Sequence, residues 1–322
     1  MDLSIIIINW KSAQYLQQCL HSIYLNTRGI DFEIIVVDNA SFDGCGEMLV
    51  REYPAVIFIQ SEQNLGFARG NNLAVSYSGG DVLLFLNPDT EIHGPALTLL
   101  LEMIRSLPDA GAAGARLLNS DATVQDSCIQ PFPTISNQLL DADLLRRSFP
   151  SARIWGMTSL LASARTPQVV EAVSGACLIT HRRVFQQVGG FSEDYFMYYE
   201  DTDYCLKVSN AGWKNYFVPN AVITHYGGKS SGDSRFSAVM MAESAWRFFL
   251  KQRGLPYARL FRASLAAKAL SRCSLLAVLA LAKQKNRPGW TTARFRKWAY
   301  VLRWCVGAEP WATSYSETRA LS

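Results

Sequence analysis

The chain has 322 residues, of which 49% are apolar and 18% charged, with a formal net charge of +4. That length and apolar content exclude a disordered chain and a minidomain, and they provide for one large α/β domain with an appendage. Seven scattered cysteines without a C-x-x-C pair exclude a disulfide framework and fit reduced thiols in a cytosolic compartment.

The predicted elements begin with a short β-rich run, Ser4–Asn9, preceded by no basic segment and far too short for a signal peptide. Ser12 is placed to cap a helix whose apolar face is Leu16, Leu20, Ile23 and Tyr24. A buried strand follows at Glu33–Asp38, then a helix over Asp43–Tyr53, a strand at Ala55–Gln60 and a helix from Gly66 to Tyr77. The most apolar strand, Asp81–Leu86, precedes a helix that starts near Pro95. Continuous apolar strands alternating with helices predict a mostly parallel central sheet covered on both faces, with ligands at the carboxyl ends of its strands. Asn9, Asp38-Asn39 and Asn87-Pro88-Asp89 fall at those ends.

Residues 120–170 carry four prolines and weak periodicity, which reads as an inserted segment near the mouth of the site. Ser174–Thr180 resumes as a strand, Tyr199–Gly212 as a helix with acids in its first turn, and Tyr216–His225 as a further strand. Beyond that the composition changes. Residues 1–243 hold 16 Lys/Arg and 25 Asp/Glu, a balance of −9, whereas residues 244–308 hold 14 Lys/Arg and no acid. The domain boundary is therefore set at 243, with a nucleotide half over 1–120, an acceptor half over 121–243 and a basic amphipathic helical extension over 244–322. The longest uncharged apolar stretch of that extension, Cys273–Ala282, is about half of what spanning a bilayer requires. Basic helices lying on an anionic lipid surface, or packing on protein, are expected there. The acidic first 243 residues argue against nucleic acid as the main partner.

Three motif matches carry no chemistry. Gly44-x-Gly46-x-x-Leu49 lacks the third glycine of a dinucleotide fingerprint, and Gly228-Lys229-Ser230 has Ile223 where a P-loop needs its first glycine. The four histidines are too dispersed for a zinc cluster. Two acidic stretches do carry chemistry. Asp89 ends the most apolar strand, where a carboxylate serves magnesium or manganese against substrate phosphates. Glu200-Asp201-x-Asp203 opens a helix among Tyr195, Phe196, Tyr198, Tyr199 and Tyr204, and desolvation there raises a carboxylate toward the proton affinity of a general base. Asn64-Leu-Gly66-Phe-Ala-Arg69-Gly-Asn71-Asn72 starts a helix, which is read either as a cap or as a diphosphate site using Arg69.

With Asn9-Trp10, Asp38-Asn39-Ala-Ser41, Asn64-Leu-Gly66-Phe, Leu86-Asn87-Pro88-Asp89, Ser174-Gly175-Ala176, Gly189-Gly190-Phe191 and Tyr199-Glu200-Asp201-x-Asp203 in this order, the chain resembles the family-2 glycosyltransferases of the GT-A fold. The likeness runs from residue 3 to about 228, and within the family it is nearest to bacterial rhamnosyltransferases that build surface polysaccharides. The resemblance implies an inverting, metal-assisted sugar transfer from a nucleotide diphosphate donor to a saccharide acceptor; L-rhamnose from a dTDP-activated donor and a polyprenyl-diphosphate-linked acceptor rest on likeness, with a UDP- or GDP-sugar as the alternative donor. It implies that Asp38 meets the base or ribose and that Asn9, Asn39, Asn64, Gly66, Arg69, Asn72, Asn87, Gly175 and Asp203 serve substrate binding. It also assigns Asp89 and His225 to Mg²⁺ or Mn²⁺, Asp201 as the base, and Glu200 as its orienting partner. The family usually has an acid where this chain has Asn87, which removes one metal contact. A sugar nucleotidyltransferase of the same fold is the rival expectation, although Asn9-Trp10-Lys11-Ser12 is unlike a triphosphate loop.

Overall fold

The computed structural model describes residues 1–140, 149, 152, 164–227, 234–282 and 289–317. Residues 141–148, 150–151 and 153–163 of the expected insertion and the Gly228-Lys229-Ser230 stretch lie outside the described residues. By its contacts the chain forms two compact units: residues 1–132, 144–193 and 200–230, and residues 133–143, 194–199 and 231–322.

The first unit is built on a nine-stranded mixed sheet. Its strands are β1 (Leu3–Asn9), β2 (Phe32–Asn39), β3 (Ile57–Ser61), β4 (Val82–Leu86), β5 (Thr90–His93), β6 (Ala110–Leu118), β8 (Gln168–Val170), β10 (Cys177–His181) and β11 (Lys214–His225), while β7 (Ile129–Gln130) and β9 (Ala172–Val173) pair separately. The order is β3-β2-β1-β4-β10-β6-β11-β5, with β8 alongside β11. The β3-β2-β1-β4 half is parallel throughout, and β10 runs antiparallel to both β4 and β6. Every residue of β1 and β4 is buried, as the uninterrupted apolar runs require when helices cover both faces.

Leu16, Cys19, Leu20 and Ile23 bury the inner face of the helix Ala13–Asn26, but Tyr24 stays 37% exposed and stacks on Tyr53 instead. Ser12 does not cap this helix with its side chain. Its hydroxyl donates to the Trp10 carbonyl, and the Asp43 carboxylate takes the Ala13 amide at 2.9 Å in its place. Five strands escaped the sequence reading, and β7, β8 and β9 among them have only two or three residues each. β5 has only four residues, and β6 reads Ala-Gly-Ala-Ala-Gly-Ala over its first six, so neither shows a strong apolar signal. The smallness of β6 is a packing requirement: a Cβ on Gly114 would stand 2.6 Å from Val173, and one on Gly111 2.5 Å from Trp213.

The second unit is helical. The span Ser234–Ala282 is two helices, because Gly254 takes a left-handed φ of 79° and Pro256 follows it. Residue 243 lies within the first of them. The helix Gly289–Cys305 shares with them a core of Ala238, Ala269 and Val301. Glu309 is buried and binds Arg235 at 2.6 Å, Arg303 at 2.8 Å and the Trp311 indole at 2.7 Å. Burial opposes its charge, but these three partners hold its pKa below the usual carboxylate range. Among the described residues one helical span, Arg235–Ala280, has a window apolar enough to cross a membrane, with a mean hydropathy of 1.4.

Candidate active site

β1, β2 and β3 are parallel and in register, so Asn9 lies beside Asp38 and Asp38 beside Gln60. Asp38 is buried yet kept ionised. Burial works against its charge, and hydrogen bonds from Ser41, Gln60 at 2.9 Å, Asn9 at 2.8 Å and the Phe42 amide outweigh it, lowering the pKa. Ala40 and Phe42 adopt left-handed φ values of 57° and 46°, which folds the loop back onto this carboxylate. Asn39 donates to the Gly66 carbonyl at 2.9 Å, and Asn64 accepts the Gly66 amide at 2.9 Å, so the next helix starts against the strand end. The Oδ1 atoms of Asn9 and Asn39 are buried without a hydrogen-bond partner among the described residues. A recess of about 520 Å³ opens beside Asp38, lined by Phe42, Val50, Phe58 and Gln60.

β4 ends at Leu86, and the Asn87 amide then donates to Ala176 at 3.0 Å. The turn closes through Thr90, whose hydroxyl donates to the Asn87 carbonyl at 2.7 Å. β5 pairs with β11 so that Thr90 lies opposite His225. His225 Nε2 thereby reaches 3.3 Å from Asp89 Oδ1 and 3.3 Å from the Asn87 amide nitrogen. Gln125 decides which ring nitrogen is available. Its Nε2 donates to the His225 carbonyl at 2.5 Å, so its Oε1 faces Nδ1 at 3.0 Å and accepts a hydrogen bond from Nδ1–H. A neutral imidazole carries one proton. With that proton on Nδ1, the Nε2 lone pair points toward Asp89 and Asn87. A carboxylate oxygen and an imidazole nitrogen form a donor pair that fits Mn²⁺ or Mg²⁺, and the Asn87 side-chain nitrogen beside them is a hydrogen-bond donor rather than a ligand.

The helix Glu200–Asn210 supplies the third group. Asp201 Oδ2 accepts the Gly175 amide at 2.8 Å and Oδ1 the Thr202 amide at 2.7 Å. Only glycine allows this approach comfortably, since a Cβ at 175 would stand 3.2 Å from that of Asp201. Burial raises the pKa of Asp201 despite these amides. Glu200 is raised well above the usual range, first by burial and then by the charge of Asp201, and its Oε2 has no partner among the described residues. Because Gly175 holds Asp201 and Ala176 holds Asn87, the acidic helix and the Asp89–His225 pair meet at one end of the sheet.

Other expected site residues engage a neighbouring loop instead. Asn72 donates to the Phe191 carbonyl at 2.9 Å and to Glu193 at 3.0 Å, and Arg69 pairs with Glu193 at 3.4 Å. Asp203 is fully buried and accepts the Ser192 hydroxyl at 2.6 Å. All three brace the segment after Gly190. The aromatic residues expected around the acids also have partners of their own. Phe196 packs on Phe236 and Tyr315, Tyr199 on Phe248, and the Tyr204 hydroxyl lies 2.8 Å from that of Thr180. The acidic helix is instead desolvated where it packs on β9, β11 and β6. Gln125, Gln60 and Asp43 were not foreseen, for no local pattern marks them.

The family model of glycosyl transferase family 2 matches residues 4–189. The chain belongs to that family. Family-2 relatives include the N-acetylglucosaminyl-diphospho-decaprenol L-rhamnosyltransferase of Mycobacterium tuberculosis, 28% identical over 264 residues, covering 78% of this chain and 84% of the relative. Rhamnosyltransferase WbbL of Escherichia coli is 27% identical over 231 residues, covering 69% of this chain and 82% of the relative. A mannosyltransferase from Pyrobaculum calidifontis, solved in complex with GDP-Man and Mn²⁺, superposes with a TM-score of 0.59 at 19% identity, over 95% of this chain and 86% of that one. The family-2 chain is thus a glycosyltransferase with the GT-A fold.

Proposed function

We propose that this enzyme transfers L-rhamnose from a dTDP-activated donor, with inversion, to a saccharide carried on a polyprenyl diphosphate at the inner face of the cell membrane. The observation that carries this reading is the meeting of Asp201, Gly175, Asn87, Asp89 and His225 at one end of the sheet. The named activities of the mycobacterial and Escherichia coli relatives supply the sugar, and the mycobacterial name supplies the lipid carrier.

In this reading the recess beside Asp38 takes the base, and the unpartnered Oδ1 atoms of Asn9 and Asn39 accept hydrogen bonds from the nucleoside. Asp89 and His225 hold a divalent ion, which when bound supplies positive charge to the leaving diphosphate. Asp201 takes the proton of the acceptor hydroxyl as its oxygen attacks the anomeric carbon opposite the diphosphate, which inverts that centre. Its raised pKa makes it a stronger base than an exposed aspartate, and the Gly175 and Thr202 amides hold it in one orientation. The acid-free residues 244–308 bring the enzyme to an anionic leaflet, where a lipid-linked acceptor resides.

The test is a panel of nucleotide sugars, each supplied with Mg²⁺ or Mn²⁺ and a lipid-linked acceptor, read as release of nucleoside diphosphate. Preference for dTDP-rhamnose and loss of turnover with a chelator are expected. Turnover of a sugar phosphate with a nucleoside triphosphate instead makes the protein a nucleotidyltransferase.

A further inference from the structure

The helix that follows Gly254 has two unlike faces. One is closed against protein: Ala258, Phe261, Ala269, Cys273 and Leu276 are buried. On the other, Leu260, Ala263, Ala267, Leu270, Ser274 and Val278 are all exposed. Their spacing of three or four residues places them in a single stripe, about 27 Å long at the rise of an α-helix. The stripe contains no charge. Leu270 is 57% and Val278 61% exposed, and Leu275 and Leu279 widen the apolar surface at the far end.

By helical angle Arg259 borders the stripe on one side and Lys268 lies beyond its other edge, while Arg272 falls toward the packed face. Lys268 donates to the Gln138 carbonyl at 2.6 Å, which fixes the helix's rotation within its own unit. At the stripe's beginning a recess of about 480 Å³ is lined by Trp246, Leu255, Arg259 and Arg262. Nearby in sequence, Arg294, Phe295, Arg296 and Lys297 are exposed on the companion helix. An uncharged face bordered by cations, in a stretch of chain without a single acid, has the chemistry of an anionic bilayer's interface.

We propose that the exposed stripe of the helix after Gly254 inserts in the plane of an anionic membrane, with Arg259 taking a lipid phosphate at the recess. This inference rests on the proposed membrane site of action and names the surface that realises it. A transverse span does not fit. The Gly254 break divides the apolar length, and the companion helix Gly289–Cys305 covers one side of what remains.

The test is sedimentation of the full chain with vesicles of phosphatidylcholine alone or mixed with phosphatidylglycerol. The parent is expected to bind the mixed vesicles and the double variant Leu270→Asn with Val278→Asn to bind them at least about tenfold more weakly. The variant's circular dichroism and its turnover of a soluble acceptor analogue should match the parent's, since both positions are exposed. Arg259→Gln is expected to lose about fivefold on the mixed vesicles, with no loss on phosphatidylcholine. Parent binding that survives the asparagine pair, but is lost on Arg294→Ser with Arg296→Ser and Lys297→Ser, overturns the stripe while leaving the membrane reading intact. A parent that binds neither vesicle overturns both. Self-association of the parent without lipid, abolished by the asparagine pair, would make this face an interface between two copies and overturn insertion.

Discussion

β1 and the helix after Gly254 are both rich in branched apolar residues, yet one is sealed from water and the other displays much of its apolar surface. In β1 every residue is buried between β2 and β4 beneath covering helices, and polarity is confined to its ends, at Ser4 and Asn9. In the later helix apolar residues recur on both faces, and the exposed ones are hemmed by cations. Apolar content alone therefore does not say what a segment packs against. Period and neighbouring charge do, and in this chain they separate a unit whose apolar runs form a sealed sheet from one that leaves an apolar stripe exposed.

The largest expected effect lies at the strand ends. Asp201→Asn should lower transfer by about 10²–10⁴-fold while donor binding, followed by calorimetry, stays near that of the parent. Transfer by the parent should also fall as pH drops through a pKa lying above that of an ordinary aspartate, because burial raises Asp201 and only its ionised form accepts the proton. A rate that is flat through the carboxylate range removes Asp201 from the base's role. Next comes β4, the equally sealed neighbour of β1. Leu84→Ala should cost about 2–5 kcal/mol in urea denaturation, since the fully buried site cannot collapse around the void. Gln125→Leu should weaken Mn²⁺ binding by about 10–100-fold, measured by paramagnetic resonance, whereas Gln125→Glu keeps an acceptor for Nδ1–H and should restore much of it. If both variants bind the ion like the parent, the tautomer of His225 is set by something else. The smallest effect belongs to the exposed stripe, where Val278→Asn should change stability by no more than about 0.5 kcal/mol in the absence of lipid. A cost as large as that of Leu84→Ala would erase the contrast between the two regions.

Much of the parallel half was legible because its signals are local. The runs Ile5–Ile8, Ile34–Val37 and Val82–Leu86 name their own strands, and a polar residue at the end of such a run announces the ligand crevice. The pairing of His225 with Asp89 was also expected, through the family likeness. Gln125 was not, since its meaning comes from a histidine met a hundred residues later, and a lone glutamine in a loop carries no pattern. Arg69, Asn72 and Asp203 show partners that no local motif could have announced. Their positions in recognised motifs suggested substrate, while their hydrogen bonds go to the segment 191–193. β6 was missed because glycine and alanine provide almost no hydrophobic periodicity.

The thinness of β6 sets a gauge for the reaction centre. This strand lies between β10, which begins two residues after Gly175, and β11, which ends in His225. Its missing side chains let Val173 and Trp213 settle close to the backbone of the sheet that carries the proposed base and cation ligand. Catalysis here should accordingly be vulnerable to a single added methyl group at Gly111 or Gly114, in a strand that handles neither proton nor phosphate.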